Sequence, residues 1–215
     1  MNRPATKQLV SFLRDQQVDS GFMNRLKVAY RPYICPFDDL LKLIDDKDTV
    51  FDIGCGSGQF ATLLAEFTGV KKIGGVEISP ELIKNARHLL QPYSGKVACN
   101  FSVYDGTDIP DLSGYSVIVL IDVLHHVPPA SQHNFLKTIY ANMKAGTRLI
   151  IKDIEGASSL VLFNKLHDRI FAGEVGNEMK SAELKSILEN LGFSVKSVSR
   201  KNMYVYPHYT LLATK

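Results

Sequence analysis

The sequence predicts a doubly wound α/β fold, with a mostly parallel, seven-stranded sheet ending in an antiparallel hairpin. Three observations carry this. First, Asp48–Ile53 is an apolar strand that runs into Gly54-Cys55-Gly56-Ser57-Gly58, and Phe60–Phe67 then has helical spacing. Second, apolar strands and amphipathic helices alternate from there onward, the pattern of a parallel sheet with crossover helices. Third, the last two strands, Phe193–Arg200 and Tyr204–Ala213, are joined by about three residues. A parallel crossover needs roughly a dozen, so this pair must be antiparallel.

Residues 1–47 precede the first strand and read as a helical extension. Leu9, Phe12 and Leu13 form one apolar stripe, and Phe22, Leu26 and Ala29 another. Pro32 and Pro36 are expected to break any helix across 30–37. Pro36 then opens a helix over Phe37–Ile44, with Asp38 and Asp39 in its first turn. The second strand, Lys71–Val76, ends on Glu77. Ser79 caps a helix over Pro80–Leu90, with proline at its first position. Lys96–Val103 is a third strand, and Tyr115–Asp122 a fourth, buried on both faces. A helix over Pro129–Met143 stops at Gly146, and Thr147–Ile154 is the fifth strand. Lys152–Glu155 leaves the sheet, and an inserted helix is expected at about 158–172. Ser181–Leu191 is the last helix, stopped at Gly192. The main domain is thus expected to span 48–215.

The glycine turn carries the chemistry. Missing Cβ atoms let backbone approach a ligand, and the helix that follows offers free N–H groups. Glu77 stands nineteen residues after Gly58 at the end of the next strand, where a carboxylate accepts from ribose hydroxyls. The spacing is G-x-G-x-G, not the dinucleotide G-x-G-x-x-G, and Asp52 stands two residues before the first glycine. A pyrophosphate would be repelled by that acid, whereas an ammonium or sulfonium would be attracted. Asp52-Ile53-Gly54-Cys55-Gly56-Ser57-Gly58 resembles motif I of the class I S-adenosylmethionine-dependent methyltransferases. The resemblance implies a Rossmann-like fold, S-adenosylmethionine as cofactor, and cofactor contacts from Asp52, Gly54, Cys55, Gly56, Gly58, Gln59, Phe60 and Glu77. It also implies that Ile78 packs on the adenine and that Asp105, beside Gly106, accepts from the adenine amino group. Asp122, ending the fourth strand, is expected near the methionine end.

Asp122-Val123-Leu124-His125-His126-Val127-Pro128 resembles the segment after the fourth strand of small-molecule and quinone methyltransferases. One of His125 and His126 is expected to face the pocket, with His125 favoured, and the other to pack. His167, on the inserted helix, is a third candidate base. Tyr30 and Tyr33 are expected to form a lid over a flat or apolar acceptor. The late tyrosines, 204, 206 and 209, read as ordinary packing by alternate residues of the last strand, and His208 as a surface residue. No metal is expected. A zinc pattern is lacking, and no Asp-Asn pair follows Asp153 as the metal-dependent catechol type requires.

The composition excludes several classes. The net charge is only +3, without a long basic run, so nucleic acid is not an expected partner. Cys35, Cys55 and Cys99 make neither a disulfide framework nor a metal site, which fits a reducing cytoplasm. No apolar run reaches the roughly 18 residues of a bilayer span, and the first residues lack a signal core. The expectation is a cytoplasmic monomer or homodimer that methylates oxygen or carbon of a small aromatic or lipid-like acceptor. Two rival readings are a nicotinamide-dependent oxidoreductase and a non-catalytic, methyltransferase-like binding subunit.

Overall fold

The computed structural model describes residues 4–16, 30–158 and 176–215. The stripe of Phe22, Leu26 and Ala29, and the inserted helix with His167, lie outside the described residues. The chain divides into two compact units, Met1–Asp108 and Ile109–Lys215.

The first unit contains three parallel strands, β1 (Thr49–Ile53), β2 (Lys72–Glu77) and β3 (Ala98–Val103), ordered β3-β2-β1. Its helices are α1 (Thr6–Asp15), α2 (Phe37–Lys42), α3 (Gln59–Phe67) and α4 (Pro80–Leu90). The early helices pack on α3. Phe12 meets Phe67 edge-on at 5.3 Å between ring centroids, and Phe37 stacks on Phe60 at 5.8 Å. Leu9 and Leu13 of the first apolar stripe are buried. Ser79 caps α4 as its type suggests, accepting from the Leu82 N–H at 3.4 Å.

One early expectation fails. Residues 30–34 are helical across Pro32, and the break falls only at 35–36. A proline forfeits one backbone donor but its φ is helical, so Pro32 is tolerated. The helix ends before Pro36.

The second unit contains β4 (Val117–Ile121), β5 (Arg148–Ile154), β6 (Ser194–Met203) and β7 (Tyr206–Thr214), with α5 (Pro129–Asn142) and α6 (Ser181–Asn190). The strand order is β4-β5-β7-β6. β4 and β5 are parallel, and β7 is antiparallel to both neighbours. β4 is buried along its whole length. Lys152 to Ile154 do not leave the sheet, because they pair with Thr210, Tyr209 and His208 of β7. The closing hairpin turns through Tyr204 and Val205, and Tyr204 takes the left-handed φ of 56° that so short a link demands. His208 is buried, contrary to its surface assignment. Residues 207–211 of β7 are buried consecutively, not alternately, so both faces of the strand are covered there.

Among the described residues no helix is long and apolar enough to cross a membrane, and no disulfide joins the three cysteines.

A Cβ at Gly58, where φ is 77°, would lie 2.8 Å from the Ala86 Cβ of α4. Gly58→Ala is therefore expected to lower unfolding free energy by about 2–4 kcal/mol, combining left-handed strain and overpacking. Urea unfolding of the variant beside wild type measures this, and equal midpoints would refute the close packing.

Candidate functional site

The glycine turn hangs from β2. The N–H groups of Gly54 and Cys55 both donate to the Val76 carbonyl, at 2.8 and 3.0 Å. Gly54, Gly56 and Gly58 all have positive φ, which an L side chain at each would resist. The three differ in surroundings. Gly58 abuts α4, whereas a Cβ on Gly56 would meet nothing within 4 Å. The backbone at Gly56 therefore fronts open space, where a ligand can approach it.

Glu77 clasps this turn. Its Oε2 accepts the Gly56 N–H and its Oε1 the Ser79 N–H, both at 3.1 Å. Each carboxylate oxygen has a further lone pair, so the group can still accept from a ligand diol. Ile78 beside it is 67% exposed, an apolar side chain in water at the end of β2, as a base-stacking residue would be.

Asp52 is buried, and its Oδ1 has no hydrogen-bond partner. Burial pushes its carboxyl up to about 8; the field of Arg31 opposes that shift and the charge of Glu77 adds to it. The Gln59 Oε1 at the start of α3 is a second buried acceptor without a partner. Two orphaned acceptors flanking a glycine turn suit a donor or cation, and they repel phosphate. Burial also raises the Cys55 thiol, so it is a packing group and not a nucleophile. Phe60, stacked on Phe37, is likewise in the core.

Asp105 forms a local turn. Its Oδ1 accepts from the N–H and hydroxyl of Thr107, at 2.8 and 2.9 Å, and from the Asp108 N–H at 3.3 Å. These bonds, led by the Thr107 N–H, hold its carboxyl below the usual range. Gly106 at φ 90° completes the turn. Tyr30 and Tyr33 stack at 6.2 Å, and Tyr30 is exposed.

In the second unit, Asp122 follows β4 with a left-handed φ of 57° and pairs with Lys152, which is buried in β5. His125 and His126 sit on a short 3-10 turn, Leu124–His126. His125 is buried and His126 is exposed. The reason is Asp153, which binds the His125 ring and draws it inward. Sequence reasoning missed Arg31, Lys152 and Asp153. Lys152 did leave a signal, because a lone cation in the apolar run Leu149-Ile150-Ile151 must find a partner when buried. Gly75 was also legible, as a mid-strand glycine. A Cβ there would lie 3.0 Å from the Asp52 carbonyl and from the Cys55 Cβ. Among the described residues no cluster of metal-ligating side chains occurs.

A strand, a glycine turn with an acid before it, and a carboxylate on the next strand define a nucleoside-binding α/β protein of the S-adenosyl type. A family model described as "Methyltransferase domain" matches residues 28–198. The chain belongs to this family, the class I S-adenosylmethionine-dependent methyltransferases, and S-adenosylmethionine is its cofactor. Among curated relatives, it is 32% identical over 159 residues to a carboxy-S-adenosyl-L-methionine synthase of Campylobacter fetus. That match covers 70% of this chain and 64% of the relative's length. A like-named protein of Nautilia profundicola is 26% identical, over 88% of this chain and 82% of its own. Among solved structures, the magnesium protoporphyrin IX methyltransferase of Synechocystis PCC 6803 with bound SAH superposes with a TM-score of 0.72. It shares 18% identity, over 98% of this chain and 95% of its own, and shows the common fold. The nicotinamide reading is set aside by the family.

Glu77→Ala removes the acceptor for two backbone N–H groups of the turn. Affinity for S-adenosylhomocysteine is expected to fall by about 1.5–3 kcal/mol, the scale of a charged hydrogen bond. Calorimetric titration measures it, and an unchanged dissociation constant would remove Glu77 from the site.

Proposed function

We propose that this chain transfers the methyl group of S-adenosylmethionine to oxygen or carbon of a small aromatic or lipid-like acceptor. The observation that carries this reading is the orphaned Asp52 carboxylate oxygen beside a glycine turn clasped by Glu77. Glu77 takes the ribose hydroxyls, Asp52 and Gln59 the amino-acid end, the Gly54–Gly58 backbone lies along the nucleoside, and Ile78 covers the base. Asp105 serves the adenine amino group, and Asp122 the methionine end. The bound cofactor supplies an electrophilic methyl on a sulfonium. The protein contributes alignment, exclusion of water, and a base for the acceptor's proton. The turn carrying His125 and His126 provides that base, and Tyr30 with Tyr33 lines the acceptor side.

The curated relatives support a second reading, in which the chain acts on S-adenosylmethionine itself and makes its carboxylated form. Mass spectrometry separates the two: methylated acceptor with S-adenosylhomocysteine supports the first, a heavier sulfonium the second. Tight S-adenosylhomocysteine binding without turnover on a panel of phenols, quinone precursors and lipid-like acids would sink the first.

Asp52 gives a pH test. In the folded chain it keeps its proton up to about 8, whereas an unfolded Asp loses it near 3.9. The folded state therefore binds the extra proton between these values, and this group's contribution to stability falls as pH rises through that window. A ligand ammonium requires the carboxylate, so binding at pH 6.5 is expected to expel about one proton and to tighten as pH rises toward 8. Calorimetry in buffers of different ionisation enthalpy reads the release. Asp52→Asn should abolish it, and equal release from the variant would exclude Asp52.

A further inference from the structure

In the first unit the strand order leaves β3 at the edge of the sheet. The N–H groups of Ala98 and Tyr104 donate to the Lys71 and Glu77 carbonyls, at 2.8 and 2.9 Å. Backbone groups alternate in direction along a strand, so those of Cys99, Phe101 and Val103 point away from β2. The side chains of β3 are exposed apart from Phe101. The strand at the other end of the order, β6, carries Lys196, Arg200 and Lys201 and a register shift between Ser197 and Ser199. Such features keep an edge from pairing, and β3 has no charge, proline or register shift.

A groove of about 480 Å³ lies between this edge and the C-terminal end of α4, with Leu90, Val97 and Phe101 among its walls. Among the described residues that line it, Arg87 is the one with a charge. Its guanidinium spends two donors on one neutral oxygen, since Nε and Nη2 both reach the Phe101 carbonyl, at 3.1 and 2.6 Å. That side of the fork fits a carboxylate better, which meets two donors with two oxygens and a charge. We propose that the β3 edge docks an extended, acidic segment of a partner protein, which adds a strand to the sheet and sets a carboxylate on Arg87. The incoming N–H takes the Phe101 carbonyl as Arg87 turns to the carboxylate, so each displaced group is paired again. The outward backbone groups of Cys99 and Val103 continue the ladder. A second copy of β3 fits less well, because Ala98–Val103 contains no acid to meet Arg87. Nothing in this contact depends on which acceptor the chain methylates.

The probe is a capped heptapeptide of alternating threonine and valine with a central glutamate, beside the same peptide with glutamine. Each is titrated into the full chain and read by nitrogen-15 NMR and amide hydrogen exchange. The glutamate peptide is expected to slow exchange at Cys99, Phe101 and Val103 and to leave Ala98 and Tyr104 unchanged. It should bind about tenfold tighter than the glutamine peptide, the scale of one charged, two-pronged contact. Arg87→Gln should erase that preference, and Arg87→Lys should keep part of it. No binding at millimolar peptide overturns the proposal, as does equal affinity of wild type for the two peptides, and neither result needs a variant to fold. Binding that leaves the three amides unprotected overturns it too. Sedimentation of the chain alone should show a monomer; a dimer that already protects these amides gives the edge to a second copy and overturns the partner assignment.

Discussion

The turn between β1 and α3 exists only because side chains are missing on both sides of it. Gly75 lets β2 lie under the Asp52 carbonyl and Cys55, and Gly58 lets α3 start against Ala86. With those contacts closed, the Gly54 and Cys55 N–H groups reach Val76, and the Gly56 N–H reaches Glu77. The cost is backbone held in left-handed φ at three glycines. The return is a loop whose Gly56 backbone fronts open space while Gly58 and Gly75 beside it are closely packed.

Three aspartates stand at or near the ends of strands β1, β4 and β5, and the protein treats each differently. Asp153 is surrounded by donors: two backbone N–H groups and a ring nitrogen. Asp122 has Lys152, and the pair holds it in a backbone conformation that only a few non-glycine residues adopt. Asp52 has no hydrogen-bond partner for one oxygen, with Arg31 offering only an opposing field. Burying a charge without a partner costs several kcal/mol, so the group holds its proton up to about 8. Of the three, Asp52 is the one with an orphaned buried oxygen.

The glycine turn and the carboxylate that clasps it were legible because their determinants are contiguous. Five residues of turn, an acid two places before it and an acid at the next strand end encode a local geometry. The antiparallel close of the sheet was legible for the same reason, since a short link permits one topology. The burial of His125 was not legible, because its partner, Asp153, lies 28 residues away on another strand. Adjacent histidines look equivalent in sequence, and only the distant carboxylate decides which one turns inward. His208 was misplaced because alternation assumes one open face, and both faces of β7 are covered at 207–211.

The sequence by itself determined the fold class, the glycine turn, the choice of S-adenosylmethionine over a dinucleotide, and Glu77 as the carboxylate beside the turn. Each of these depends on backbone freedom, helix and strand periodicity, or the charge of neighbouring residues, all short-range properties. Only the tertiary structure decided that Asp52 keeps an unpaired oxygen, that Lys152 belongs to Asp122 and that Asp153 orients His125. Burial and pairing of charge depend on what other strands bring within about 4 Å, and no local pattern records that distance.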